Sequence, residues 1–457
     1  MNDNLVRTAT ISKEGTIMIK KFLIIIGVIL MALAAPAEAA LAIQDNRATA
    51  DYWVGKNKSG EEVFVSTADL ERLNLQIRQK SSNTLVDLAQ YPAKVYTQWL
   101  KNKITATLTI GHFDKDEVPK LFKNGAALTE YSYTHAKQNT CLDELPAVCE
   151  VRYALTINRI NLRLLPEDAG WFEGKDDTKY NQLQATALDP CEPLAVLIDS
   201  KDKQFVFVES RYYAGWVKPS DIAFTDKATW LKYAAPQNYL TILASRKTVP
   251  YGKAYYQMGG KVLLRANELQ KDGTWAITMP TVDKNGTIME QAFNIPNDNG
   301  VVKGALACSE NNLIRQAFRF LGEEYSWGGE DKSVDCSAFV QDVYRSVGIE
   351  LPRDADKQER AMARSISLKG MSHEERLNII KKSKAGALLF TGGHVMIYLG
   401  TDDNGEPLAI HALSSYYTFD GGKTAKHYVR KVVVSDLHYM NRDKIEMIDR
   451  LTSVGNF

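Results

Sequence analysis

The hydrophobic pattern changes period near residue 151, and this limits the fold more than any other feature of the chain. Before it, over 41–150, apolar residues recur at helical spacing. Ser66 precedes a run in which Leu70, Leu73 and Ile77 share a face, with Asp69 supporting the cap. A second run holds Leu85, Leu88, Val95, Trp99 and Leu100, interrupted by Pro92. After it, RYALTINRINLRLLP, PLAVLIDS, QFVFVES and GWVKPSDIAF alternate as short strands bounded by turn residues. That pattern predicts a small β-barrel over 151–226. A weaker echo begins at Tyr239 and predicts a second barrel over 236–298; one larger β-domain is the alternative. NDNGVVKG, 297–304, has the composition of a linker. In 305–457 helices come first, with Ser309 capping SENNLIRQAFRFLG, and GALLF, HVMIYLG, PLAIHAL and KHYVRKVVVSDL follow as strands. Helices followed by an antiparallel sheet predict an α+β domain. A chain of 457 residues is in any case too long for one core.

Lys20 and Lys21 precede FLIIIGVILMALAAPAEAALA, a basic start, an apolar run and small residues at Ala37, Ala39 and Ala40. Residues 1–40 are therefore expected to be a secretory signal, with Met18 a tidier start, and the protein to be periplasmic or secreted. A single membrane anchor is the runner-up, but the apolar run is short for a span. No cysteine precedes Cys141, so no lipid anchor is expected near the cleavage site. A net charge of +1 gives no electrostatic case for nucleic acid. The protein is expected to be a monomer without cofactor or metal, since no cysteine spacing resembles a zinc site. Five cysteines is an odd number. In an oxidising compartment one is left as a candidate reactive thiol, while Cys141, Cys149, Cys191 and Cys308 could pair in three ways.

Cys336 stands out among the five. Cys336, Phe339, Val340, Val343, Tyr344 and Val347 mark one face of a helix that Gly348 ends. Gln341, Asp342, Arg345 and Ser346 form its polar face. A thiol in the first helical turn faces unpaired N–H groups and is expected to ionise below its usual pKa of about 8.5. The plainer reading is a buried cysteine acting as a small hydrophobe. A nucleophilic cysteine needs a base and an orienter for that base. His394 opens the strand HVMIYLG, and TDDNGE turns the chain into PLAIHAL, which carries His411. If Gly400 lies opposite Pro407, Met396 faces His411, and His394 is its diagonal neighbour at about 7–8 Å. Two imidazoles could then meet. His112, His135, His373, His427 and His438 have no such setting and read as surface or packing residues.

YSWGG, DCSAFV, LPRDADKQ, GALLF and HVMIYLG, in that order, resemble the NlpC/P60 family of papain-like cysteine peptidases over 306–450. The resemblance implies Cys336 as nucleophile, His394 as base and His411 as the third residue. The whole chain resembles cell-wall members with an N-terminal helical region and two bacterial SH3-like domains. Those are γ-D-glutamyl-L-diamino acid peptidases, which cut peptidoglycan stem peptides after D-Glu and prefer a free N-terminal L-Ala. Peptidoglycan-derived peptides are thus the expected partners. The resemblance carries substrate-amine binding to Asp335 and Ser337, and a site wall to the first SH3-like domain, with Glu167 and Tyr212 as its candidates. Ala338, Ala387 and Ala355 depart from the family pattern, and Ala355 replaces a serine that touches substrate in some relatives. As a helix cap Asp335 would contribute about 1 kcal/mol and need no other role. Yet its charge opposes a neighbouring thiolate, which favours a cationic ligand beside it. Two other classes compete: a wall-binding protein with an inactive peptidase fold, and an amidase or acyltransferase using the same thiol.

Overall fold

A computed structural model describes residues 41–81, 84–114, 116–249, 255–283 and 288–457; the expected signal segment, 1–40, lies outside them. Helices Ala50–Lys56, Thr67–Lys80, Thr97–Ile110 and Glu130–Asn139 occupy the N-terminal part. Ser66 caps the second as expected, its hydroxyl accepting from the Asp69 N–H at 3.1 Å. The run around Pro92 is not one helix. It holds a short turn, Leu88–Gln90, and a strand, Lys94–Tyr96, paired with Val148–Glu150. Proline lacks an N–H and holds its predecessor extended, so the helix begins only at Thr97.

Strands between Arg152 and Thr225 form one seven-stranded antiparallel sheet. It runs from Ile222–Thr225 at one edge to Gln184–Leu188 at the other. Alternation buries Phe207 against Trp216, with ring centroids 5.1 Å apart. A separate five-stranded sheet follows and includes Tyr239–Ile242 and Lys261–Leu264. Its last strand, Val301–Lys303, pairs with Tyr239–Ile242 inside the stretch read as a linker. That reading is corrected: the polar residues 297–300 make a turn, with Asp298 accepting from the Gly300 N–H at 2.8 Å, and the two valines after it enter the sheet. The two sheets are distinct, although side chains from both join one packed core.

The C-terminal part is α+β, as the pattern required. Helices Glu310–Phe318, Cys336–Ser346 and His373–Lys381 accompany a six-stranded antiparallel sheet. Two of its strands, Arg364–Ser367 and Leu451–Asn456, were not evident from the sequence. The cysteine helix packs on His394–Thr401 and Pro407–Asp420, burying Phe339, Val340 and Val343 completely. Its polar face is not solvated. Gln341, Asp342 and Ser346 are buried too, and Arg345 ion-pairs with Asp342 at 3.3 Å and Asp189 at 3.5 Å. The turn before Lys261–Leu264 reaches the same face: a Cβ on Gly259 would stand 2.3 Å from Cβ of Arg345. This helix is therefore held from all sides, and the first sheet's edge strand lies against the turn before it. In that turn Gly328 has φ +64°, and a Cβ there would meet Gln184. The glycines of YSWGG are thus explained by backbone conformation and close approach. All five cysteines are free, so none of the three pairings is made.

Candidate active site

Cys336 opens its helix, buried, with Sγ 3.9 Å from the carbonyl oxygen of Gly393. The expected acidic thiol is not found. Burial pushes Cys336 up to about 12, with the Asp335 carboxylate adding to the rise and the N–H groups of Val395 and Ser337 opposing it. Desolvation of the charged form outweighs the helix terminus.

His394 follows the tight turn Gly392–Gly393 between strands Leu388–Thr391 and His394–Thr401. Its Nε2 lies 2.9 Å from Nδ1 of His411, with the rings edge to face at 5.1 Å. The register that joins them differs by one at the turn: Thr401, rather than Gly400, faces Pro407. A bulge between Tyr398 and Gly400 absorbs the difference, so Ile397 faces Ile410 and the continued register sets Met396 opposite His411.

The hydrogen bonds determine where each ring proton sits. The Ser435 hydroxyl donates to the Asp436 carbonyl at 2.9 Å, so its oxygen accepts from Nε2–H of His411, also at 2.9 Å. Nδ1 of His411 is then the acceptor for Nε2–H of His394. That leaves a lone pair on Nδ1 of His394, the nitrogen a base needs. Enclosure, with the Arg450 charge, lowers His394 to about 4, and enclosure with His394 beside it takes His411 well below its ordinary value. Both rings are neutral at pH 7. Tyr439 stacks on His411 at 5.8 Å.

Asp335 caps the helix through the Ala338 N–H at 2.8 Å and accepts from the Gly328 N–H at 3.0 Å. Its cation comes from the chain itself. Arg353 of LPRDADKQ clamps both carboxylate oxygens, at 3.0 and 2.5 Å, and also donates to the Ser337 hydroxyl at 2.9 Å. A bidentate guanidinium thus offsets the Asp335 charge without a ligand. Although burial works against it, this pairing keeps Asp335 below its ordinary pKa.

The residues expected from the first barrel sit elsewhere. Glu167 pairs with Lys123 at 2.8 Å, and Tyr212 lies buried with Arg345 over its ring at 5.6 Å, behind the cysteine helix. The barrel residue that reaches the site is Tyr180. Its hydroxyl bonds to Ser414, its ring lies 5.8 Å from that of Tyr325, and it packs against the core that contains Cys336. The Trp327 N–H holds the loop in place by donating to the Lys179 carbonyl at 3.0 Å. A signal existed: the connection between Ile160–Arg163 and Gln184–Leu188 is far longer than a hairpin needs, and such loops are usually functional. Arg353 lay inside the quoted motif LPRDADKQ, though nothing local tied it to Asp335, and Ser435 had no comparable signal. Among the described residues no cluster could hold a metal ion.

Residues 322–437 match the NlpC/P60 family, and residues 171–218 match the SH3 domain of SH3b1 type. A bifunctional muramidase/DL-endopeptidase of Bacillus subtilis is 34% identical over 109 residues, 22% of this chain and 29% of that protein. A γ-D-glutamyl-L-lysine dipeptidyl-peptidase of the same species is 29% identical over 120 residues, 25% of this chain and 40% of that protein. The chain thus spans less than half the length of either relative. An NlpC/P60 endopeptidase structure from Photobacterium damselae subsp. piscicida superposes with a TM-score of 0.71, over 91% of this chain and 97% of that one, at 16% identity. That likeness is one of fold.

Proposed function

We propose that this chain, which carries an NlpC/P60 domain at 322–437 behind an SH3b-type domain at 171–218, is a cysteine peptidase cutting peptidoglycan stem peptides between γ-D-Glu and the diamino acid. The observation that carries this reading is the ordered relay Ser435–His411–His394, which leaves an unprotonated Nδ1 on His394, the residue after Gly393, whose carbonyl lies 3.9 Å from Sγ of Cys336. In the resting site thiol and imidazole are both neutral, so the proton leaves sulfur as sulfur attacks. Sγ bonds to the γ-carbonyl carbon of D-Glu while Nδ1 of His394 takes the thiol proton. The C–N bond then breaks, the amine of the diamino acid leaves with that proton, and a thioester remains. Water, deprotonated by the same nitrogen, attacks the thioester; L-Ala-D-Glu is released and the proton returns to sulfur, restoring the thiol. Burial holds the Tyr325 hydroxyl protonated in the core that also contains Cys336, a donor suited to the developing oxyanion.

A free N-terminal L-Ala fits the loop that carries Tyr180 against Tyr325 and Ser414, on the barrel side of the thiol. In this reading Ser337 and Asp335 shape that side through Arg353, and Glu167 and Tyr212 support the barrel. The sheet from Tyr239 onward is a second SH3-like module, and the protein is an exported, periplasmic or secreted monomer. The test is a digest of L-Ala-γ-D-Glu-diamino acid peptides read by mass. L-Ala-D-Glu should appear, should be reduced by N-acetylation, and should vanish with Cys336→Ala. Release of a different fragment, or full turnover by Cys336→Ala, overturns the reading.

A further inference from the structure

Arg450 ends the short helix Met447–Arg450, next to the turn that carries the base. Its carbonyl accepts from the Thr391 hydroxyl at 2.7 Å, and Thr391 pairs with both His394 and Leu451. The side chain is half-buried and its charge acts on His394 and Tyr439. Among the described residues its guanidinium has no hydrogen-bond or ion-pair partner. The other arginines near the cysteine helix differ. Arg159 is paired with Asp189, Arg345 with Asp342 and Arg353 with Asp335.

A cation beside the catalytic imidazole is costly for a base, because it favours the neutral ring and lowers its affinity for the thiol proton. A structural role would give it an anion to hold, as the other three have. The side on which it stands is also informative. His394 must hand its proton to the leaving amine, so the leaving diamino acid lies on the imidazole side of the thiol. Arg353 and Tyr180 are tied to the barrel, Arg353 by donating to the Thr186 hydroxyl at 2.9 Å and Tyr180 by lying in the barrel's own long loop. A leaving diamino acid carries a carboxylate on its α-carbon, and the diaminopimelate type carries a second one at the end of its side chain. A guanidinium matches a carboxylate with two parallel donors.

We propose that Arg450 binds a carboxylate of the leaving diamino acid, making it a specificity-determining residue of the site. This rests on the peptidase reading above and goes further by naming the group that recognises the leaving side. A charge-assisted bond of this kind corresponds to about ten- to hundredfold in affinity.

The experiment uses four peptides: L-Ala-γ-D-Glu followed by meso-diaminopimelate or L-lysine, each with the α-carboxylate free or amidated. kcat and KM are measured for the full chain and for Arg450→Met and Arg450→Lys, with thermal melts to confirm folding. Wild type should lose about ten- to hundredfold, mainly in KM, when the recognised carboxylate is absent. A preference for diaminopimelate over lysine identifies the side-chain carboxylate, and a penalty for the amide identifies the main-chain one. Arg450→Met should erase that difference and Arg450→Lys should keep part of it. A difference that survives in Arg450→Met, or no carboxylate dependence in wild type, overturns the proposal. If wild type cleaves none of the four, the bond assignment has failed. Calorimetric binding of the same peptides to Cys336→Ala, with and without Arg450→Met, then still decides the role of Arg450 by the same criterion.

Discussion

The C-terminal domain holds two pairs of histidines that differ in almost every physical respect. His394 and His411 meet edge to face at 5.1 Å and share a nitrogen-to-nitrogen hydrogen bond, with His411 fully buried. His373 and His438 stack at 6.3 Å and bond to carboxylates, His373 to Asp449 at 3.1 Å and His438 to Glu446 and Glu406 at 2.8 Å. In the first pair enclosure holds both rings neutral. In the second, partial burial pulls His438 down, but Glu446 and Glu406 outweigh it and raise its pKa. The same side chain is thus a neutral, enclosed ring in one place and a surface partner of carboxylates in the other. What separates them is solvent access and the charge of the nearest acceptor.

The largest expected effect tests that division. His394→Ala should cost about a hundredfold to ten-thousandfold in kcat/KM, while His438→Ala should leave it nearly unchanged. Comparable losses in both would show that the pairs are functionally continuous. The pH profile of wild type adds to this. A base lowered to about 4 stays unprotonated as pH falls from 7 to 5, so His394 should not impose an acid limb at its ordinary value. A clear limb near pH 6.5 would mean that the ring is solvated as His438 is.

Next in size is His411. Alanine removes the acceptor that holds Nε2–H of His394, and a loss of about ten- to hundredfold is expected. Asparagine or glutamine should restore part of it, because an amide oxygen can accept the same proton. Equal rates for His411→Ala and His411→Asn would show that the second ring contributes packing rather than orientation.

Ser435→Ala should have a smaller effect, about tenfold, by removing the acceptor that sets the tautomer of His411. Ser435→Thr keeps the hydroxyl and should recover most of the rate. Nitrogen-15 chemical shifts of the two rings, read alongside kcat, would report a tautomer change that simple loosening of the strand would not produce.

The smallest effect belongs to the outer pair and concerns stability. His438 has its folded pKa raised above the unfolded value, so its contribution is present below the unfolded pKa and fades as pH rises through the folded one. The side chain is 41% exposed, so solvent screening limits the effect to about 1 kcal/mol or less. The Tm difference between wild type and His438→Ala should be larger at pH 5.5 than at pH 8.5. A difference that grows with pH would have the wrong sign for an ion pair.

The sequence by itself determined the order of helices and strands in the C-terminal domain, the cysteine helix with its cap, and the strand mount of His394. These depend on periodicity and capping, which act within a few residues. The meeting of His394 and His411 was legible for the same reason, since one hairpin joins them; even the one-residue error at Pro407 was absorbed by a bulge. Tertiary structure alone decided that Arg353 neutralises Asp335, that Ser435 bonds to His411, and that Tyr180 meets Ser414 and Tyr325. It also reversed the expected direction of the thiol pKa and buried the polar face of the cysteine helix. Each of these depends on what packs around a group, and the partners are distant in sequence: Tyr180 and Ser414 stand 234 residues apart. Local pattern shows which residue types a segment offers. Solvent access and neighbouring charge, which set what those residues can do, exist only once the separate segments have come together.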